Sequence, residues 1–180
     1  MRLYTGRGDD GMTDLLGARV GKDDPRIEAI GALDETTSAI GFARALATVE
    51  QVRDDLVTVQ RDLYKIMAEL AFTEQTRPAS YRLDVDRVAW LGEESDALAA
   101  EVELPREFVL PGESAPGAAL DVARAVSRRA ERQVVAVGHF GHPANPVILG
   151  YLNRLSTLLF AAARVEDHAA GKQPQVAKTR

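Results

Sequence analysis

The chain has 180 residues, 46% of them apolar and 27% charged, with a formal net charge of −5. That is enough to bury one sizeable core, and the acidic balance argues against a general nucleic-acid binder, which carries a basic face or stripe. With no cysteine, disulfide scaffolds, thiolate metal sites and cysteine nucleophiles are excluded, and a reducing cytoplasm is compatible.

The chain opens on a Gly-rich, acid-bearing stretch, "YTGRGDDGMTDLLGARVGK", over residues 4–22. Residues 1–13 contain no apolar run, so no signal peptide is expected and the location is read as cytoplasmic. The stretch lacks the G-x-x-x-x-G-K-[ST] spacing of a Walker loop and the regular oxygen ligands and terminal Glu of an EF-hand. Glycine-permissive backbone with threonine hydroxyls can turn successive N–H groups toward an anion. A flexible way into the first helix stays open beside that anion site.

Five helices follow, with no convincing strand pattern. The first begins at Asp23-Asp24-Pro25, where acids cap and Pro suits the first turn. Ile27, Ile30, Leu33, Thr37 and Ile40 then recur at helical spacing. Asp34 falls on the apolar side of this helix. Either an arginine neutralises it, since a lone buried carboxylate costs several kcal/mol, or it sits exposed at the stripe's edge beside Glu35.

The second helix runs over about 50–72 and ends at the polar linker "TEQTRPAS"; the third covers roughly 84–102. "ELPREFVLPGESAPG" is too long for a simple helix–helix turn, and such connections are often functional. The fourth helix, about 116–137, carries Arg124, Arg128 and Arg132 four apart and so on one face, with Glu131 three beyond Arg128. Planar multi-donor guanidinium groups suit a polyphosphate; a solvated charged face is the plainer alternative. Its opposite face, Ala119, Val122, Val126, Ala130 and Val134, is expected inside.

In the fifth helix Asn145 caps, Pro146 takes the first position and the run continues to about His168. Asn153 and Arg154 interrupt its apolar run, which makes it a buried helix and not a membrane span. Asn153 within it makes either a structural polar contact or a ligand contact. His139, His142 and His168 lack a metal-ligand spacing and are expected to face solvent, while Tyr64 and Trp90 are expected to pack. One domain over 1–168 follows, with residues 1–22 as an arm and 169–180 as a disordered tail. The fold class is all-α, a five-helix bundle.

Four blocks, "YTGRGDDGMTDL", "RVGKDDPRIEAIGALDETTSAIG", "FVLPGESAPGAALDVARAVSRRAERQ" and "NPVILGYLNRLSTLLFAAAR", resemble the PduO-type ATP:cob(I)alamin (corrinoid) adenosyltransferases in content and order. The resemblance implies a five-helix bundle assembled as a homotrimer, with active sites between subunits. It implies that the opening arm wraps ATP, with Thr5, Gly6, Gly8, Asp9, Gly11 and Thr13 near the nucleotide and Lys22 on the phosphates. Arg128, Glu131, Arg132 and Asn153 of the adjacent subunit would complete that site. Mg2+ would be held mostly by phosphate oxygens and water, with Glu131 the nearest carboxylate. Asp34 and Arg124 match an intersubunit ion pair beside the corrinoid, and Phe108 matches the aromatic that displaces the corrinoid's lower axial ligand.

The implied reaction is attack by Co(I) of reduced cobalamin on the 5′ carbon of ATP, expelling triphosphate and forming adenosylcobalamin. Cobalamin thus supplies the nucleophile. A corrinoid reductase and an adenosylcobalamin-dependent acceptor enzyme are the partners such chemistry has; nucleic acid and membrane are not among them. A nucleotide- or corrinoid-binding sensor or escort on the same bundle, and a purely structural bundle, are the competing possibilities.

Overall fold

The computed structural model describes residues 5–73, 76–142 and 144–178. Tyr4 at the head of the opening motif, Glu74 and Gln75 of the linker, Pro143 and the last two residues lie outside these ranges. Five helices make up the body: α1 (Pro25–Leu46), α2 (Glu50–Ala71), α3 (Asp86–Ala100), α4 (Ala115–His139) and α5 (Pro146–Ala169), with a short 3-10 turn at Ala79–Tyr81. The expected caps are present. The Asp24 side chain accepts from Arg26 N, and the Asn145 side chain from Val147 N.

The all-α expectation needs one correction. The opening arm contains an antiparallel hairpin, β1 (Met12–Leu15) and β2 (Ala18–Gly21), in register Met12 with Gly21 through Leu15 with Ala18. Strands of four residues are too short to show a clear alternation, and the turn signal lies in Gly17 at φ 111°.

α5 is long and apolar enough to cross a membrane by length and composition. Here it is the core helix, with Ile148, Tyr151, Leu152, Leu155, Leu158 and Leu159 fully buried against α3 and α4. The inward face of α4 departs from expectation. Val122 is 56% exposed, while Ala119, Leu120, Ala123, Ser127, Ala130, Val134 and Val137 are buried. α4 packs on both α1 and α5, and a row of small side chains lets the three backbones approach closely. Tyr64, expected to pack, is 61% exposed. Trp90 is half-buried, with the Arg87 guanidinium 4.3 Å from its ring centre.

Carboxylates tie the helix ends together. Glu166, fully buried, accepts from Thr48 N, Thr48 Oγ1 and Val49 N at 2.7–3.0 Å, and so caps α2, which has no side-chain cap of its own. Glu69, also buried, accepts from Leu83 N (2.7 Å) and Asn145 Nδ2 (3.2 Å) at the opposite end. Asp62 accepts a two-nitrogen fork from Arg87 and the Tyr151 hydroxyl.

Asp55, on the same face one heptad earlier, has no cation. Among the described residues only Gln51 Nε2 reaches its Oδ1 (3.0 Å), and its Oδ2 is buried with no hydrogen-bond partner among them. Burial, and then the nearby Glu94 carboxylate, push its carboxyl from 3.8 up to about 7. Between those values the folded chain binds a proton that the unfolded chain does not, so stability falls as pH rises from about 4 through 7. Asp55→Asn removes that loss. Thermal melts are expected to show the variant melting higher than the parent at pH 8, with the gap closing near pH 4. A gap that does not change with pH would refute the assignment.

Candidate functional site

The arm is built from turns its glycines permit. Gly6 (φ 74°) and Gly11 (φ 79°) lie in the left-handed region; Asp9 N donates to Gly6 O at 3.2 Å, and Lys22 N to Gly11 O at 2.9 Å. A Cβ at Gly8 would lie 3.3 Å from both Lys22 Nζ and Met12 O, so glycine there lets the lysine ammonium lie over the turn. Thr5, Gly6, Gly8, Asp9, Gly11 and Lys22 thus gather on one loop, with Thr13 opposite Val20 in the hairpin.

Arg19 holds this loop to the hairpin and was not singled out from sequence. It donates to Asp10 (3.1 Å), Asp14 (3.2 Å) and Arg7 O (2.8 Å). Met12 N and then Arg19 hold the Asp10 carboxyl below its ordinary value. The charge that Asp14 brings is spent on Arg19 and Arg7, the latter 3.4 Å away. The hairpin leans on the linker that follows α2, where Thr76 Oγ1 donates to Leu16 O at 3.4 Å.

A second group gathers on the α4–α5 face. Asn153 Nδ2 donates to Glu131 Oε1 (3.3 Å), Arg132 Nη1 to Arg128 O (2.9 Å), and Arg128 Nη1 reaches Ser156 Oγ (3.5 Å). Asn153 is exposed, not buried as its apolar neighbours suggested, because it lies on the side of α5 that turns toward the arginine row. Asn153, Glu131 and the arginines thus form a polar surface cluster whose guanidinium groups stay accessible.

Beside it lies a cavity of about 370 Å³ whose lining includes Phe108, Asp121, Arg124, Arg128, Ser156 and Phe160. Phe108 is 80% exposed at its mouth. Its backbone is held by the chain's own end: Leu110 N donates to Gln175 O (2.8 Å) and Ala177 N to Phe108 O (2.7 Å), with Val109 and Val176 as an antiparallel bridge. Residues 175–177 of the expected disordered tail therefore pair with the loop, whose extended backbone offers otherwise unmet donors and acceptors. A larger cavity, about 630 Å³, lies at the arm's end of the bundle between Phe72, Arg77, His142 and Ile148 and takes in none of the residues that the resemblance assigns to nucleotide or corrinoid.

Asp34 is exposed on α1 beside an exposed Glu35, the second of its two alternatives, while Ala32, Leu33 and Thr36 fill the inward side. Within one chain it does not meet Arg124, whose Nε instead donates to Asp121 Oδ1 at 3.1 Å. Nor does any hydrogen bond or ion pair among the described residues join the arm to the arginine row. The three histidines are exposed, as expected. Asp121, Ser156, Phe160 and Arg164 were missed. The "RVED" charges ending an otherwise apolar helix were the available signal for Arg164.

No group of three or more His, Asp or Glu that could hold a metal occurs among the described residues. A lone carboxylate, Glu131, beside arginines and an amide fits Mg2+, which is usually carried by one or two carboxylates plus substrate phosphates.

The family model described as cobalamin adenosyltransferase matches residues 3–166. The chain is 39% identical over 175 residues to a corrinoid adenosyltransferase of Bacillus subtilis, covering 95% of this chain and 89% of that one. It is 39% identical over 172 residues to the corrinoid adenosyltransferase PduO of Citrobacter freundii, but spans only 51% of that protein's length, with 94% of this chain matched. A variant PduO-type ATP:corrinoid adenosyltransferase from Lactobacillus reuteri, solved with cobalamin and ATP, superimposes with a TM-score of 0.92 at 30% identity, over 99% of this chain and 100% of that one.

Proposed function

We propose that this chain, which belongs to the cobalamin adenosyltransferase family, transfers the 5′-deoxyadenosyl group of ATP to the Co(I) of a reduced corrinoid. The observation that carries this is the meeting of Arg128, Glu131, Arg132 and Asn153 on one face, beside a cavity with Phe108 at its mouth. In the reaction the cobalt's electron pair forms the Co–C5′ bond while the C5′–O bond breaks, and its electrons leave on triphosphate. The protein needs no nucleophile of its own. Its task is to align the two substrates and to stabilise the charge gathering on the leaving group.

Each part has its place in that task. The arginines and Lys22 supply donors to the triphosphate, and the Gly-rich arm folds over the nucleotide. Where Mg2+ accompanies ATP, Glu131 is the residue that would hold it, and it adds charge neutralisation at the phosphates. Phe108 lies against the lower face of the corrinoid, keeping water and the lower ligand away from cobalt.

The assembly we propose is a homotrimer with the arm of one subunit closing on the arginine row of the next. The separation of the two groups within one chain supports this, as do Phe42 (61% exposed) and Val122 (56% exposed), apolar side chains that a partner would cover. An exposed Asp34 and an Arg124 with outward donors are likewise suited to pair across such an interface. Cytoplasmic location, with a reductase supplying the reduced corrinoid, completes the proposal. Anaerobic assay of ATP with reduced cobalamin, followed by the visible absorbance change, tests it. Tight binding of both ligands without turnover would leave an escort or sensor instead.

A further inference from the structure

We propose that Asp121 is a positioning residue of the corrinoid-side cavity: through a buried chain of alternating charges it sets both the aim of Arg124 and the anchorage of the Phe108 loop. This rests on the function proposed above.

The chain starts at the cavity. Arg124, 27% exposed, commits its Nε to Asp121 Oδ1 (3.1 Å) and makes no other side-chain hydrogen bond among the described residues, which leaves both terminal nitrogens for the cavity or a neighbouring subunit. Asp121 Oδ2 takes Arg164 Nη2 at 2.7 Å. Arg164, with a side chain only 2% exposed, also lies 3.0 Å from Asp167 Oδ2 and 5.2 Å from the centre of the Phe160 ring, which itself lines the cavity. Asp167 Oδ1 accepts from Ser114 Oγ at 2.6 Å, and Ser114 Oγ accepts from Gly117 N at 3.0 Å, capping α4. Ser114 ends the loop that Phe108 opens. Glycine suits position 117, because a Cβ on Gly117 would overlap the Asp167 carboxylate.

Two carboxylates and two guanidinium groups alternate along this line, so each buried charge has an opposite neighbour. A purely packing role would be met more cheaply by apolar side chains, since desolvating several ions costs more than their attraction usually returns. What the ionic chain adds is direction. It fixes which edge of Arg124 faces inward and ties that edge, through three further side chains, to the foot of the Phe108 loop. Asp121 is the branch point, the one carboxylate shared by the cavity arginine and the buried arginine.

The test is Asp121→Asn in the full-length protein, assayed anaerobically with ATP and reduced cobalamin. The expected result is a corrinoid KM raised about tenfold with the ATP KM within about twofold, and a weakened four-coordinate Co(II) signature in the presence of ATP. In an Arg124→Gln background the same change is expected to raise the corrinoid KM by less than it does in the parent, because part of its action runs through that arginine. A lower Tm with corrinoid KM and Co(II) spectrum unchanged would overturn the proposal, as would full additivity with Arg124→Gln. If Asp121→Asn does not accumulate folded, Asp121→Glu keeps the charge that Arg164 needs, displaces it by one methylene, and carries the same readouts. A parent protein that transfers no adenosyl group defeats the functional proposal itself; an active parent with an indifferent variant defeats only this one.

Discussion

Replacing Arg128 by alanine is expected to lower kcat/KM for adenosyl transfer by about two to three orders of magnitude, the scale on which removing one preorganised donor to a developing anion acts. Arg128 stands mid-way along the α4 row, with Arg132 one turn on and Arg124 one turn back. Its guanidinium is exposed, and its one side-chain contact in the described chain is the long 3.5 Å approach to Ser156 Oγ. Little native stability depends on that contact, so the melting temperature of Arg128→Ala is expected to stay near the parent's. Loss of turnover without loss of fold then isolates an electrostatic role. Lysine at this position keeps the charge but not the planar fork, and is expected to recover only part of the rate. Parent-like turnover in Arg128→Ala would remove the phosphate-binding assignment.

Phe108→Ala is expected to abolish the four-coordinate Co(II) spectrum that forms when Co(II) corrinoid and ATP bind together. The ring is 80% exposed and contributes little to the core. The loop's path does not depend on it, because Phe108 O and Leu110 N are held by Ala177 and Gln175. The substitution therefore takes away an apolar wedge and leaves the backbone in place. Its effect is expected on the step that needs the lower ligand gone, the reduction of Co(II). With enzymatic or weak chemical reduction the rate is expected to fall about tenfold or more, while corrinoid already reduced to Co(I) is affected less. Electron paramagnetic resonance separates these cases, and a four-coordinate signal retained in the variant removes Phe108 from this role.

Some of this chain could be read residue by residue. Asp24 with Pro25 and Asn145 with Pro146 mark two helix starts, because capping and the first-turn proline act within four residues and need no partner. The arginine row is equally local, as a spacing of four puts side chains on one face whatever lies opposite. The hairpin was missed because its strands are four residues long and paired by register more than by apolar alternation. Val122 was placed on the wrong side of α4, and spacing left Asp34 on α1 open between a paired and an exposed position, for a related reason. Both helices carry apolar residues around much of their surface, and periodicity alone does not say which arc faces the core.

Helix number, the approximate helix limits and the placing of Arg124, Arg128 and Arg132 on one face of α4 were determined by the sequence itself, through short-range hydrogen bonding and side-chain periodicity. Tertiary structure alone decided that Asn153 turns to Glu131, that Arg164 reaches Asp121, and that residues 175–177 return to hold Phe108. Those pairings join positions from 22 to about 70 residues apart. No local rule specifies them, because a polar side chain on an apolar helix takes its partner from whichever helix packs beside it.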